Sequence, residues 1–305
     1  MRSQFLWLGL VTISLLSAVS SPQVRHHTGV APISSSSYAQ ELNQRGNRLY
    51  EQGRFQESLE VFEQSLEAWQ KSGDIRGEGI ALAALGLVHS ELQQYTKALE
   101  YSRQALSIAK KTGDRRAEGT ILNNIGLTHN IRGEYNQALD YYQQALSIAR
   151  EVNDRKGEAR TLNNIGVSYG QLRKYNKALK YYHLSLPMVK SLGDRYWEEK
   201  NLRNIGLAYY NLGQYNQALD YYQQALSICR DLDNRGDEAQ ALDAVGITYY
   251  ALQDYSQALK YFEQALIIFQ EIGDRTSERA TLEHIKKVHH ALKKSKNFIP
   301  LKIEA

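Results

Sequence analysis

The sequence Y-N-Q-A-L-D-Y-Y-Q-Q-A-L-S-I occupies residues 135–148, and it returns unchanged at residues 215–228, two periods of 40 residues later. Weaker copies of this stretch begin at the equivalent position of the other periods, at Phe55, Tyr95, Tyr175 and Tyr255. A fixed period of this size is typical of a solenoid built from one repeated supersecondary unit. The repeat therefore outweighs the chain length of 305 residues, which alone would indicate about two globular domains.

A glycine also recurs every 40 residues, with a leucine four residues before it and usually an aliphatic residue one before it. This spacing places the three on one helical face, which we call the core side of helix A. A glycine inside a helix costs about 1 kcal/mol relative to alanine. Its recurrence predicts that a neighbouring helix packs too close for a side chain. The glycines are Gly46, Gly86, Gly126, Gly166, Gly206 and Gly246.

The stretch at residues 135–148 has helical spacing of its own, because Ala138, Tyr142 and Ala145 follow one another at intervals of four and three. Small and large residues alternate, so this helix B can approach helix A closely. Between repeats stands a pair such as Gly113-Asp114. Glycine can end one helix in the left-handed conformation, and aspartate can cap the next. Each unit is therefore predicted to be helix A, a tight turn and helix B.

These features resemble the tetratricopeptide repeat, whose usual unit has 34 residues. The 40-residue form with a Gly-Asp-Arg junction is similar to the repeats of kinesin light chain and of the spindle-orientation adaptors. It is also similar to exported bacterial repeat proteins in which a caspase-like protease domain often follows. The residues that match the repeat pattern are Leu122, Ile125, Gly126, His129, Gly133, Tyr135, Ala138, Tyr142 and Ala145.

The resemblance covers about residues 38–292 and implies an all-α fold, a right-handed superhelix (α-solenoid) of about six helix pairs plus a C-terminal capping helix. The seventh unit lacks a helix B and has Lys286 at the glycine position, so its basic face is interpreted as a polar cap. The units are predicted near residues 38–72, 73–112, 113–152, 153–192, 193–232 and 233–272, with the capping helix at 273–292 and a tail at 293–305.

The first residues resemble a secretory signal peptide. Arg2 precedes an apolar run at residues 5–19, and Ala18-Val19-Ser20 has small residues at both ends. The run is shorter than the roughly 20 residues that span a bilayer. We expect residues 1–20 to be a signal peptide cleaved near Ser20, which predicts an exported protein, periplasmic or extracellular. The alternative is an uncleaved N-terminal anchor, which would be the only contact with a membrane. Residues 21–37, rich in serine, are predicted to form a flexible linker.

The position two residues before each helix A glycine lies on the opposite side from the core and is predicted to face the inner groove. It holds Asn124, Asn164 and Asn204 in three successive repeats. Carboxamides can both donate to and accept from a peptide backbone. We expect these three asparagines to hold an extended peptide. The other residues of the predicted site are Asn123, Asn163, Arg203, Arg160, Lys200 and Tyr210.

The cations Arg160, Lys200 and Arg203 would favour an acidic peptide. The alternative is that the asparagines pair with adjacent helices and hold the stack together, since asparagine is a poor residue inside a helix. Which of the two interpretations applies is left open by the sequence.

Other classes of function have little support in the sequence. The net charge of +4 has both signs interspersed, which gives no reason to expect nucleic acid as a partner. Phosphate loops, CxxC, HExxH and GxSxG motifs are missing, so we expect no cofactor, no metal and no enzyme activity. The single cysteine, Cys229, is predicted to be a small buried residue. The adjacent His26 and His27 are too few to define a metal site.

The function predicted from the sequence is a non-catalytic scaffold or adaptor that binds a protein or an extended peptide in the groove. One alternative is a regulatory or sensor subunit that responds to a peptide. Another is a structural element that self-associates through its tyrosine-rich helix edges.

Overall fold

The structure is a computed structural model that describes residues 35–296. Thirteen α-helices and no strand are found in this range. Odd-numbered helices are helix A of their repeats and even-numbered helices are helix B. The helices are α1 (Ser35–Glu51), α2 (Phe55–Ser72), α3 (Ile75–Glu91), α4 (Tyr95–Thr112), α5 (Arg115–Ile131), α6 (Tyr135–Glu151), α7 (Arg155–Gln171), α8 (Tyr175–Ser191), α9 (Arg195–Asn211), α10 (Tyr215–Asp231), α11 (Arg235–Ala251), α12 (Tyr255–Glu271) and α13 (Arg275–Lys296).

The ends of the helical array differ slightly from the predicted boundaries. Helix α1 begins at Ser35, inside the predicted linker, and α13 continues to Lys296, beyond the predicted end at 292. Serine is common at the start of a helix, and the lysines near the end of α13 suit the negative end of the helix dipole. The predicted signal peptide, residues 21–34 of the linker with both of its histidines, and residues 297–305 lie outside the described residues.

The chain divides into two compact units, with the division after Ser168. In the first unit each helix from α1 to α6 packs against the next, and the A helices α1, α3 and α5 also contact one another in sequence. In the second unit α8 to α13 pack in the same order, and α11 contacts α13. Consecutive packing of antiparallel helices, without long-range crossings, is the arrangement of an α-solenoid. The predicted fold class is confirmed.

At the junctions between repeats, a glycine ends one helix and an aspartate caps the next, as predicted. Gly73 and Gly113 end helices B with φ of 72° and 70°. Asp74 then accepts from the backbone N–H groups of Arg76 and Gly77, both at 3.0 Å, which satisfies two free donors of the next helix. Asp114 caps α5 in the same way, through the N–H of Ala117 at 3.0 Å.

In three repeats a glutamate in the first turn of helix A adds an ionic link across the junction. Arg150 Nε donates to Glu158 Oε1 at 2.8 Å, and Arg230 Nε donates to Glu238 Oε1 at 3.0 Å. Glu238 also accepts from Arg235 Nη1 at 2.7 Å. Each of these glutamates therefore joins the end of one helix B to the start of the following helix A.

Four glycines of helix A lie against an aromatic ring of helix B, whereas Gly86 lies against Ser102. This is the close approach of the two helices that the sequence predicts. A Cβ atom on Gly126 would lie 2.7 Å from Cε1 of Tyr142, and a Cβ on Gly206 would lie 2.8 Å from Cδ1 of Tyr222. Both rings are buried, with 1% and 3% of their surface exposed. No carbon atom fits at such distances, so the glycines set how closely the two helices of a hairpin approach.

A second set of rings stacks across five hairpins of the described chain. His129 lies parallel to Tyr141, with centroids 5.2 Å apart, and His89 lies parallel to Tyr101 at 5.1 Å. Tyr209 stacks on Tyr221 in the second unit. The two histidines thus take the place of a tyrosine, and both are buried.

We expect Gly126→Ala to destabilise the protein by about 1–3 kcal/mol, because the new methyl group overlaps the Tyr142 ring and overpacking outweighs the better helix propensity of alanine. Urea unfolding followed by circular dichroism measures the loss. Gly170→Ala is the control, since its Cβ would meet only the Tyr182 hydroxyl, at 3.7 Å. Equal stability of Gly126→Ala and the wild type would contradict the packing argument.

Candidate protein-binding face

In the first unit, one polar residue of helix A bridges to the next helix A. Asn123 Oδ1, on α5, accepts from Asn164 Nδ2 at 3.1 Å and from Thr161 Oγ1 at 3.3 Å, both on α7. The partners are 41 and 38 residues further along the chain, so they occupy nearly the same level of the following repeat. Asn123 and Asn164 therefore stabilise the stack, as the alternative interpretation of the asparagines requires.

Asn124 occupies the same repeat position as Asn164 but lacks this bond. Its side chain is 4% exposed, and its Oδ1 has no hydrogen-bond partner among the described residues. The residue equivalent to Asn123 one repeat earlier is Ala83, which has no polar atom to offer. An unpaired buried carboxamide oxygen is costly. No hydrogen bond of the Asn124 side chain explains why an asparagine stands at this position.

The asparagines of the first unit are less accessible than a groove-facing position would be. Asn163 and Asn164 are 3% and 8% exposed, and Arg160 is half-buried. Contact between successive A helices, such as α3 with α5, covers a position that helical geometry alone places away from the core.

In the second unit, Lys200 and Arg203 are paired with acids of the chain itself. Lys200 Nζ lies 2.6 Å from Asp237 Oδ1, and Arg203 Nη1 lies 3.0 Å from the same oxygen. Arg203 Nε also lies 3.3 Å from Glu199 Oε1. Both cationic side chains are 9% exposed. The expectation that these two cations select an acidic peptide needs correction, because Asp237 and Glu199 already neutralise them.

The pKa values of these acids follow from their surroundings. Burial works to raise the pKa of Asp237, but the nearby Arg203 and Lys200 charges and hydrogen bonds outweigh it and the pKa is lowered. Burial dominates at Glu199 and raises its pKa, in spite of the same two cations. Burial also raises the pKa of the Cys229 thiol to about 12, so the thiol is protonated at neutral pH. The prediction of a small buried cysteine is confirmed.

Three residues of α9 form an accessible surface that we call the α9 face: Asn204, Leu207 and Tyr210. Leu207 is 39% exposed, and the other two are half-buried. They follow one another at intervals of three, which keeps them on one side of the helix. In the first unit the leucines equivalent to Leu207 are buried, Leu87 at 4% and Leu127 at 9%.

The next helix A of the second unit, α11, has half-buried residues at the positions equivalent to the α9 face. Ile247 and Tyr250 on α11 are equivalent to Leu207 and Tyr210 on α9. Tyr210 packs against Tyr215, and Tyr250 packs against Tyr255, with ring centroids 5.4 and 5.5 Å apart. These contacts hold the tyrosine rings in place. The site predicted from the sequence includes Asn204 and Tyr210 but not Leu207, although Leu207 stands three residues from each of them.

Across residues 35–296, no group of three or more histidine, cysteine, aspartate or glutamate side chains could hold a metal ion. In the same part of the chain no helix is both apolar enough and long enough to cross a bilayer.

Stacked helix hairpins with short turns define the chain as a helical-repeat solenoid. The sequence match is more specific, since the tetratricopeptide repeat family model matches residues 38–111, 118–191 and 198–295. The chain belongs to the tetratricopeptide repeat family. Members of this family are generally non-catalytic and serve as scaffolds for protein interactions. A search of curated proteins gives no significant match.

Solved structures share the fold at low sequence identity. BtubC (BKLC) from P. vanneervenii superposes with a TM-score of 0.61 at 20% identity, covering 78% of this chain and 91% of its own. Kinesin light chain repeats from Podosopora anserina give a TM-score of 0.52 at 15% identity, covering 65% and 98%. A Rap protein complexed with competence and sporulation factor gives 0.63 at 14% identity, covering 85% and 76%. The predicted likeness to kinesin light chain repeats is confirmed at the level of the fold.

We expect Asn123→Ala and Asn164→Ala each to destabilise the protein by about 1 kcal/mol, because each removes a buried hydrogen bond and leaves its partner unpaired. Asn124→Ala should leave the free energy of unfolding unchanged or raise it, since it removes an unpaired buried oxygen. Urea unfolding of the three variants makes the comparison. A loss for Asn124→Ala as large as for Asn164→Ala would show that the two asparagines have the same role.

Proposed function

We propose that this chain is a non-catalytic scaffold that binds an extended segment of another protein on the exposed sides of its A helices. Membership of the tetratricopeptide repeat family supports the scaffold role. The structurally similar Rap protein was crystallised in complex with a factor, which agrees with a ligand-binding role for this architecture.

The proposal is based on the accessibility of the α9 face. The leucines at this repeat position are buried in two repeats of the first unit, but Leu207 is 39% exposed. Leu207 lies between the carboxamide of Asn204 and the phenol of Tyr210. An apolar side chain flanked by hydrogen-bonding groups suits a peptide, because the peptide supplies both a side chain to pack and a backbone to bond. Tyrosine is also one of the residue types on which binding energy concentrates.

The asparagines of the predicted site have different roles within this proposal. Asn123 and Asn164 are used in the stack, and the unpaired carboxamide oxygen of Asn124 is buried. We propose Asn204 and Tyr210 as direct contacts, and Asn124 stays a prediction. Asn163 and Arg160, the remaining members of the predicted site, stay predictions for the first unit. Charge selection by Lys200 and Arg203 is dropped from the proposal, because Asp237 holds both.

A phage-displayed library of random dodecapeptides, selected on the full-length protein, tests the α9 face. We expect selected peptides to bind the wild type and to lose roughly tenfold or more in affinity against Leu207→Asp, because a buried carboxylate replaces an apolar contact. Fluorescence anisotropy with a labelled selected peptide measures the affinity.

Leu184→Asp is the matched control for this experiment. Leu184 is 46% exposed on the helix B α8, in the same unit, so it introduces the same charge at another exposed leucine. Equal binding by wild type and Leu207→Asp would overturn the assignment of the α9 face, and equal losses in both variants would show a non-specific effect of charge.

We also propose that the chain is exported, on the strength of Arg2, the apolar run at residues 5–19 and the small residues before position 21. Expression of the full chain in a bacterium, followed by fractionation and intact-mass spectrometry, should give an envelope protein that starts near residue 21. A deletion of residues 5–19 should remain in the cytosol. Full-length protein in the membrane fraction would favour the uncleaved anchor, and full-length protein in the cytosol would contradict export.

A further inference from the structure

A second candidate site is a cleft of about 500 Å³ in the first unit, between the B helices α4 and α6. It lies on the opposite side of α5 from Asn123 and Asn124, because Leu122 and His129 in its wall are on the core side of that helix. Its lining residues are Arg103, Leu106 and Lys110 from α4, Leu122 and His129 from α5, and Gln137, Asp140, Tyr141 and Gln144 from α6.

The cleft has an apolar floor and a polar rim. Leu122 is buried at its base, and Leu106 and Tyr141 are half-buried beside it. Arg103 and Lys110 are exposed on one rim, seven residues apart and therefore on one side of α4. A volume of this size falls within the range of about 300–1,000 Å³ that is typical of ligand pockets.

Lys110 differs from the residues at the same position of the other repeats. Those residues reach the glutamate eight places later, as Arg150 does to Glu158 and Arg230 to Glu238, and Gln70 and Gln270 do likewise. Within the described residues the side chain of Lys110 makes no hydrogen bond or ion pair, and its counterpart Glu118 pairs with Arg115 instead. The ammonium group of Lys110 is therefore available at the rim of the cleft.

Arg103 is also distinctive, because the equivalent positions hold Glu63, Gln143, His183, Gln223 and Glu263. Among the described residues Arg103 forms no ion pair. This cleft has two available cations on one rim and the carboxylate of Asp140 on the other rim. The lining thus has a net positive charge with one acceptor side chain opposite.

His129 forms part of the wall. Its Nδ1 lies 2.6 Å from Glu134 Oε2, which fixes the orientation of the ring. Its Nε2 is buried and has no hydrogen-bond partner within residues 35–296.

We propose that this cleft binds an acidic side chain of a partner protein together with the apolar residue beside it. Arg103 and Lys110 would hold the carboxylate through charge-assisted hydrogen bonds. Leu106, Leu122 and Tyr141 would pack on the apolar side chain. Asp140 would accept a backbone N–H of the segment, and Gln137 and Gln144 would bond its carbonyl groups. This site is independent of the α9 face, which lies in the other unit.

The test uses two capped tetrapeptides that differ in one carboxylate, acetyl-Ala-Phe-Glu-Ala-amide and acetyl-Ala-Phe-Gln-Ala-amide. They are titrated into the ¹⁵N-labelled full-length protein, and chemical-shift changes of the Arg103 Nε–H and of amides around the cleft are followed. We expect the glutamate peptide to bind roughly tenfold more tightly than the glutamine peptide, with shifts at the cleft, since hydrogen bonds to charged groups contribute about that much. Binding should weaken with added salt.

Arg103→Gln and Lys110→Gln place residues that other repeats already carry at these positions, Gln143 and Gln70, so both variants should fold. Each should lower the affinity for the glutamate peptide severalfold, and the double variant should bring it to that of the glutamine peptide. Arg150→Gln is the control, because Arg150 pairs with Glu158 outside the cleft, and it should bind like the wild type.

Equal affinity for the two peptides, unchanged binding by the double variant, or shifts located away from α4–α6 would each overturn the proposal. Acetate binding as tightly as the glutamate peptide would also overturn it, because the apolar floor would then contribute nothing. Leu207→Asp should leave this binding intact, which separates the outcome from that of the α9 face.

Discussion

The contact between a glycine of helix A and an aromatic side chain of helix B controls the geometry of four hairpins in the described part of the chain. At Gly126 the ring of Tyr142 occupies the space that a Cβ would need, and Ala138 and Ala145 on either side of the ring are fully buried. Burial raises the pKa of the Tyr142 phenol, as expected for a hydroxyl removed from water. Phe62 and Phe262 fill the same space against Gly46 and Gly246. The constraint is therefore one of shape, and the hydroxyl group is not required for it.

Contacts between successive hairpins use the same positions with different chemistry. In the first unit Asn123 accepts from Thr161 and Asn164. In the second unit Asp243 Oδ1 lies 3.0 Å from Thr281 Oγ1 and 3.2 Å from His284 Nδ1, at the same separations in sequence. Buried polar groups are costly unless every partner is in place, so these bonds favour one register of helix A on the next. A carboxamide at Asn123 and a carboxylate at Asp243 can therefore both accept these bonds.

Features that depend on residues close in the chain could be predicted from the sequence. Asp114 caps a helix that starts one residue later, and the glycine at 113 takes the left-handed conformation without help from distant residues. The hairpin contacts were also predictable, because the repeat shows the same pairing several times.

Side-chain partners in other repeats were harder to predict. A rotation of 100° per residue places Asn124 away from the core of its own hairpin, but it does not say that the neighbouring A helices cover it. Likewise Lys200 and Asp237 are 37 residues apart, and nothing local in the sequence indicates that they meet. Leu207 was overlooked because the leucine at this position is core in other repeats.

Binding specificity in such a chain has to come from the positions at which the repeats differ. The identical stretches at residues 135–148 and 215–228 supply buried framework residues, such as Tyr142 and Tyr222. Identical repeats would offer a ligand identical surfaces, and the ligand could then bind in several registers with equal affinity. Exposed Leu207 and the available cations Arg103 and Lys110 break this equivalence without altering the packing of the hairpin. The framework can therefore be copied unchanged while single exposed positions diverge, and it is at those positions that recognition of a particular partner is to be sought.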